Sequence, residues 1–241
     1  MRLSVERLAR MMDLSAVRAE VDAAEVRQLA EVARKYRCVC AFVLPCFVPE
    51  LKSLLAGSPE VGVGGVVGFP SGAHSTATKV AEARQQAGEG VAELDMVINV
   101  GMLRSGRGRY VEDDIRAVVE AAKGIPVKVI LEAHHLTDAQ IVEGSRIAVR
   151  AGAAFVKTGT GWAPTGATLH NVQLIKSAVG NAARVKAAGG VRDLATVLRM
   201  IDLGVSRFGV GLATGEKILE ECAALADGID LTETAPCSTP S

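Results

Sequence analysis

Net charge is missing first. Lys and Arg number 27 and Asp and Glu number 27 over 241 residues, so the two signs cancel. Bulk charge therefore offers no nucleic-acid or membrane surface. Long apolar runs are missing as well. The longest are strand-sized, too short to span a bilayer. The opening Met1-Arg2-Leu3-Ser4-Val5-Glu6-Arg7 is charged and helix-like, with no apolar signal region. Paired cysteine motifs are also absent. Cys38, Cys40, Cys46, Cys222 and Cys237 are odd in number and lack C-x-x-C spacing. They read as reduced thiols of a cytoplasmic protein, not as a disulfide or zinc framework. Aromatics stand at 3%, and no low-complexity linker interrupts the chain. What is plentiful is glycine, at 25 residues, within a chain that is 49% hydrophobic. That length and composition suit one sizeable core.

The strongest pattern is alternation. Short Val/Ile/Ala-rich runs alternate with amphipathic stretches, and the turns carry Gly or Pro. The runs predict strands at Met12–Leu14, Cys38–Leu44, Val61–Val67, Ala92–Asn99, Pro126–Glu132, Ala153–Lys157, Arg184–Ala187 and Val205–Val210. The intervening stretches predict helices at Ala23–Tyr36, Pro49–Leu55, Thr76–Ala87, Tyr110–Lys123, Thr137–Arg150, Thr168–Val179, Asp193–Leu203 and Glu216–Ala226. Thr137-Asp138-Ala139-Gln140 fits a capping box, and Gly88, Gly124, Gly152 and Gly204 follow expected helix ends. Eight strands, each followed by a helix, predict an α/β fold with a parallel sheet whose strands are apolar on both faces. No strand is marked as an edge by charge or proline, so a closed (β/α)8 TIM barrel fits better than an open sheet. One domain over 1–231 is expected, with a flexible C-terminal tail over 232–241.

In such a barrel, side chains at strand C-termini converge on one mouth. Lys157, ending Phe155-Val156-Lys157, and Lys186, in Val185-Lys186-Ala187, are therefore placed alike on successive strands. A lysine is disfavoured inside a core unless it has a partner or a task. Burial and a cationic neighbour both lower a lysine pKa, and only the neutral amine attacks a carbonyl. Asp95, in Glu93-Leu94-Asp95-Met96-Val97, is the natural carboxylate partner, with Asp13 and Glu132 near the same mouth. The functional reading is a nucleophilic lysine, a second lysine that lowers its pKa, and a carboxylate that shuttles protons; the structural reading is an internal salt bridge.

Glycines crowd the ends of the last three strands. Backbone N–H groups at Thr160-Gly161, Gly189-Gly190-Val191-Arg192 and Gly209-Val210-Gly211 are candidates to cradle a phosphate. The last of these misses the dinucleotide spacing by one residue and sits on the final unit, which argues against a nicotinamide cofactor. His134 and His135 are adjacent and make a poor chelate, so no metal site is expected. His134 is a candidate acid/base group or hydroxyl donor. Trp162 is either packing under a loop or an apolar wall of the pocket.

With these residues assembled, the sequence resembles the deoxyribose-phosphate aldolase family, class I (Schiff-base) aldolases. The resemblance runs from about Met12 to about Leu219. It is carried by Gly68-Phe69-Pro70-Ser71-Gly72 with Thr76, Lys79 and Glu82-Ala83; by Glu93–Asn99; by Val127–Glu132; by Ala151–Thr158; by Val185–Arg192; and by Ser206–Gly209. The resemblance implies a (β/α)8 barrel, a Schiff base on Lys157, pKa perturbation by Lys186 and a proton relay through Asp95. It also implies reversible cleavage of 2-deoxyribose 5-phosphate to acetaldehyde and glyceraldehyde 3-phosphate, with no cofactor and no metal. The expected partner is a small aldehyde or sugar phosphate, and the expected assembly a homo-oligomer, such as a dimer. Departures cluster at the mouth. Gly159 stands where the family usually has serine, Gly211 and Leu212 where it usually places serines, His134-His135 follow Glu132-Ala133, and Phe42 replaces a common cysteine. They motivate an alternative: a sister Schiff-base aldolase or lyase for a different, less phosphorylated substrate.

Overall fold

The computed structural model describes residues 2–225 and 228–230. Eight parallel strands close into a barrel in chain order: β1 Met12–Ala16, β2 Cys40–Val43, β3 Gly62–Val67, β4 Glu93–Val97, β5 Val127–Ile130, β6 Phe155–Lys157, β7 Arg184–Ala188 and β8 Arg207–Gly211. β8 pairs back onto β1 and leaves no edge. The expected (β/α)8 barrel is therefore present. The helices are α1 Val5–Ala9, α2 Ala23–Tyr36, α3 Val48–Leu54, α4 Thr76–Glu89, α5 Val100–Arg104, α6 Gly108–Ala121, α7 Asp138–Arg150, α8 Leu169–Val179, α9 Leu194–Asp202 and α10 Leu212–Ala223. A two-residue antiparallel ribbon joins Arg2–Leu3 to Ile229–Asp230 outside the barrel. The expected tail over 232–241 lies outside the described residues. Among the described residues, no helix is long and apolar enough to cross a membrane.

Local chemistry explains the helix limits. The Asp22 side chain accepts from the backbone N–H groups of Ala24 and Glu25, and Thr137 with Gln140 completes the expected capping box. Gly88 was expected to follow α4, but the helix runs on to Glu89 and Gly90 closes it in the left-handed region, at φ 75°. α10 starts at Leu212, four residues before the expected Glu216, because β8 passes into it with no intervening turn.

The strands differ from the expectation in one instructive way. Their outer faces are apolar and their inner faces are not. Leu14, Leu94, Met96, Val129, Val156, Val185 and Phe208 point outward and are buried against the helices, where Leu29, Ile115, Ile147, Ile175, Val197 and Ile218 meet them. The intervening positions, Asp13, Glu93, Asp95, Lys128, Lys157, Lys186 and Arg207, point inward. The hydrophobic core is thus a ring between barrel and helices. Inside the barrel Val17, Cys40, Phe42 and Val66 form a small apolar group, and Val97, Ile130 and Phe155 share the inward faces of Asp95, Lys128 and Lys157.

One polar staple lies in the helix layer. Lys79 on α4 is fully buried and donates to Asp114 Oδ2 on α6 at 2.6 Å and to the Val97 carbonyl at 3.0 Å. Thr76 donates to the other Asp114 oxygen at 2.7 Å. Removing one partner of a buried pair leaves an uncompensated charge, which costs about 3–5 kcal/mol. Lys79→Met is expected to lower the urea midpoint accordingly, and the added Asp114→Leu to restore part of it.

Candidate active site

Strand register builds the site. Asp95 is paired with Lys128 across β4 and β5, Lys157 with Lys186 across β6 and β7, and Lys186 with Arg207 across β7 and β8. Period-two alternation then turns all of them inward. Asp95 Oδ2 accepts from two amines at once, Lys157 Nζ at 2.7 Å and Lys186 Nζ at 2.6 Å. Lys186 Nζ also lies 2.6 Å from Asp13 Oδ2. Lys128 Nζ lies 3.2 Å from Asp95 Oδ1 and 3.3 Å from Asp13 Oδ2, and contacts Glu93. Arg207 donates to Asp13 Oδ1 at 2.7 Å and to Glu93 Oε2 at 2.8 Å. Phe42 lies beneath the amines of Lys128 and Lys186, each 4.3 Å from its ring centre. Gly209 is needed beside Lys186: a Cβ there would stand 2.9 Å from Lys186 Cε.

The cluster sets three carboxylates (Asp13, Glu93, Asp95) against four cations (Lys128, Lys157, Lys186, Arg207). All are buried or nearly so, hence little screened by solvent. One positive charge is surplus, and burial makes a surplus costly. Burial would push the Asp95 carboxyl up, but Lys128, Lys157 and Lys186 outweigh it and hold it well below the usual carboxylate range. Lys128 goes the other way: burial lowers it, and Asp13, Asp95 and their neighbours more than reverse that. The surplus is relieved at Lys157. Burial first, then the charges of Lys186 and Lys128, push it down to about 8 against the opposing pull of Asp95. A lysine at about 8 is partly neutral near pH 7, as attack on a carbonyl requires.

Lys157 ends β6 at the barrel mouth, and its amine opens on a narrow pocket lined by Ser15, Phe42, Val66, Phe69 and Ala188. That pocket leads past Ser15, Val17, Thr160 and Gly209 into a cleft of about 220 Å³. The cleft wall contains Gly161, Gly189, Gly190, Val191 and Gly211, the expected anion-binding turns, with Arg18, Arg192 and Thr214. Gly189 and Gly190 have φ of 77° and 109°, which a side chain would strain. Thr158 Oγ1 donates to the Ala188 carbonyl at 2.7 Å and accepts from the Ala188 N–H at 2.9 Å, fixing the turn after Lys157. Glu132 serves the same loop: it accepts from the Thr160 backbone N–H at 3.2 Å and from the Thr160 hydroxyl. It faces Thr160 and makes no ion pair with the lysines.

Of the expected site residues, Lys157, Lys186, Asp95 and Asp13 come together, and Thr160, Gly161, Gly189, Gly190, Val191, Gly209 and Gly211 line the adjoining cleft. His134 does not join them. Glu132 takes a left-handed φ of 53°, so Ala133–His135 form a 3-10 turn instead of continuing the strand. His134 is exposed and pairs with Thr165 Oγ1 at 2.7 Å, outside both pockets. Trp162 is a loop tie: its Nε1 donates to the Val17 carbonyl at 3.0 Å and its ring meets Phe69 edge-on. Lys128, Glu93 and Arg207 were not expected in the site. Their signal was present as single charges at inward positions of apolar strands. Among the described residues, Asp13, Cys40 and Glu93 bring donor atoms within 4.8 Å of one another, as a metal would require. Their carboxylates are already paired with Arg207 and the lysines, and burial with nearby Asp13 pushes the Cys40 thiol well above its ordinary range.

Comparison with known proteins agrees with this geometry. The deoxyribose-phosphate aldolase of Rhizobium meliloti (strain 1021) is 49% identical over 221 residues, 92% of this chain and 89% of that protein. That of Klebsiella pneumoniae subsp. pneumoniae is 48% identical over 220 residues, 90% of this chain and 88% of its own. The tetrameric deoxyribose phosphate aldolase structure from Aeropyrum pernix superposes with a TM-score of 0.84 at 29% identity, covering 91% of this chain and 93% of that one. A parallel barrel with a hydrogen-bonded, partly neutral lysine at its mouth is here a carbon–carbon lyase. The chain belongs to the DeoC/LacD family of aldolases, which it matches over residues 7–221.

Proposed function

We propose that this enzyme cleaves 2-deoxy-D-ribose 5-phosphate reversibly to acetaldehyde and glyceraldehyde 3-phosphate through a Schiff base on Lys157. The supporting observation is Lys157 itself, held at about 8 and 2.7 Å from Asp95, at a pocket that opens into a glycine-lined cleft. The neutral amine attacks the C1 aldehyde, and the carbinolamine takes up one proton and loses water to give an iminium. Asp95, relayed through Lys186, takes the C3 hydroxyl proton. The C2–C3 bond then breaks, its electron pair flows into the iminium to form an enamine, and glyceraldehyde 3-phosphate departs. The enamine is protonated at C2, and water releases acetaldehyde from Lys157. The phosphate rests in the cleft on backbone N–H groups near Gly189, Gly190 and Gly211.

A second reading is a sister aldolase for an unphosphorylated substrate, favoured by the missing hydroxyls at Gly211 and Leu212. Turnover of 2-deoxyribose 5-phosphate and of 2-deoxyribose separates the two. The phosphorylated substrate is expected to lead in kcat/KM by about a hundredfold or more; equal values would sink the first reading. We further propose a homo-oligomer, in line with the tetramer named for the Aeropyrum pernix relative, which sedimentation equilibrium tests. A cytoplasmic setting suits the four free cysteines among the described residues, Cys38, Cys40, Cys46 and Cys222.

A further inference from the structure

The cleft must hold a dianion, yet the wall after β8 offers no hydroxyl at Gly211 or Leu212. The same cleft carries a cation. Arg18, in the loop after β1, lines the cleft and donates from Nη1 to the Gly161 carbonyl at 3.1 Å. Its guanidinium carbon lies 5.3 Å from the ring centre of Trp162. Trp162 is itself pinned by the Val17 carbonyl and by Phe69. The guanidinium therefore lies over the ring and is tied at one corner, with four of its five N–H donors left over. Its one carboxylate neighbour, Glu20, is an exposed contact at 3.9 Å. Arg192 is the other cation of the cleft, and it has no hydrogen-bond or ion-pair partner among the described residues that would orient it. A pre-oriented fork loses less freedom on gripping a phosphate than a free side chain does.

We infer that Arg18, held over Trp162, is the specificity-determining residue for the terminal phosphate of the substrate. This rests on the phosphorylated-substrate reading and adds to it a side chain from the loop after β1. The loop after β6 then contributes to specificity through Gly161 and Trp162, which aim a side chain belonging to another loop.

Trp162 is the only tryptophan in the chain, so its fluorescence reports on Arg18 directly. Inorganic phosphate titrated at constant ionic strength, with chloride as control, is expected to give a saturable change in the whole protein. Arg18→Ala is expected to weaken phosphate binding about tenfold to a hundredfold. It is also expected to cut the kcat/KM ratio of 2-deoxyribose 5-phosphate over 2-deoxyribose by a similar factor. Arg18→Lys should recover part of each, since it restores the charge without the fork. A phosphate preference that survives Arg18→Ala overturns the assignment while leaving the proposed substrate standing. So does an equal loss on both substrates, which would make Arg18 only a loop tie. A wild-type protein with no phosphate preference removes the substrate reading itself, and a wild-type protein that also fails to respond to inorganic phosphate removes both.

Discussion

Lys157→Met is expected to lower kcat by about four orders of magnitude or more, because it removes the proposed nucleophile. The same variant should lose borohydride-dependent trapping of acetaldehyde, read as an adduct mass on the Phe155–Lys157 peptide of the wild-type enzyme. Loss of folding is not the expected cause. Lys157 is the surplus cation of its cluster, so replacing it with methionine removes charge from an over-positive interior. Asp95 would keep Lys186 at 2.6 Å and Lys128 at 3.2 Å. A melting temperature equal to or above that of wild type should accompany the dead enzyme. Wild-type trapping at another lysine, or substantial turnover in the variant, would remove the Schiff base from Lys157.

Asp95→Asn is expected to separate nucleophilicity from proton transfer. On the proposed mechanism only neutral Lys157 attacks, and a lysine becomes neutral as pH rises. Activity should therefore climb with pH through about 8. Asp95 is the group that holds the Lys157 proton on. Its neutralisation should move that climb to lower pH, so a larger fraction of the amine is ready at pH 7. The plateau should nevertheless fall about a hundredfold to ten-thousandfold, the usual worth of a positioned acid/base group. Easier trapping beside slower turnover is the combined signature. A climb that moves to higher pH would show that Asp95 acts mainly as structure.

The fold was almost wholly legible because barrel strands announce themselves twice, by apolar outer residues and by turns. All eight lie where the runs placed them, to within about two residues at most ends. α5 escaped notice because it is one short turn containing Gly101, although Asn99, whose side chain caps it, was a usable signal. α10 was placed late because glycine at 209, 211 and 215 reads as loop when no helix is seen. In the site, Lys157, Lys186 and Asp95 were legible because each interrupts an apolar strand, Lys157 at the end of β6 and Lys186 and Asp95 at the middle of β7 and β4. Lys128 and Arg207 stand equally alone, but lower in the barrel, where an interior of paired charge is not the ordinary expectation. His134 was misplaced for a backbone reason. A non-glycine residue at φ 53° cannot be foreseen from Glu132 itself, and the turn it opens leaves His134 and His135 exposed.

The imbalance of four cations against three carboxylates has a second effect, later in the proposed cycle. At rest, a neutral Lys157 leaves the interior electrically balanced. Iminium formation takes up a proton and puts the excess back, now on the carbon–nitrogen bond. One way to relieve it is to draw in an electron pair, and the C2–C3 bond supplies one. Bond cleavage then moves the charge: the enamine is neutral, and the excess passes to the hydroxyl proton that the Asp95–Lys186 relay has taken up, which is the proton needed next at C2.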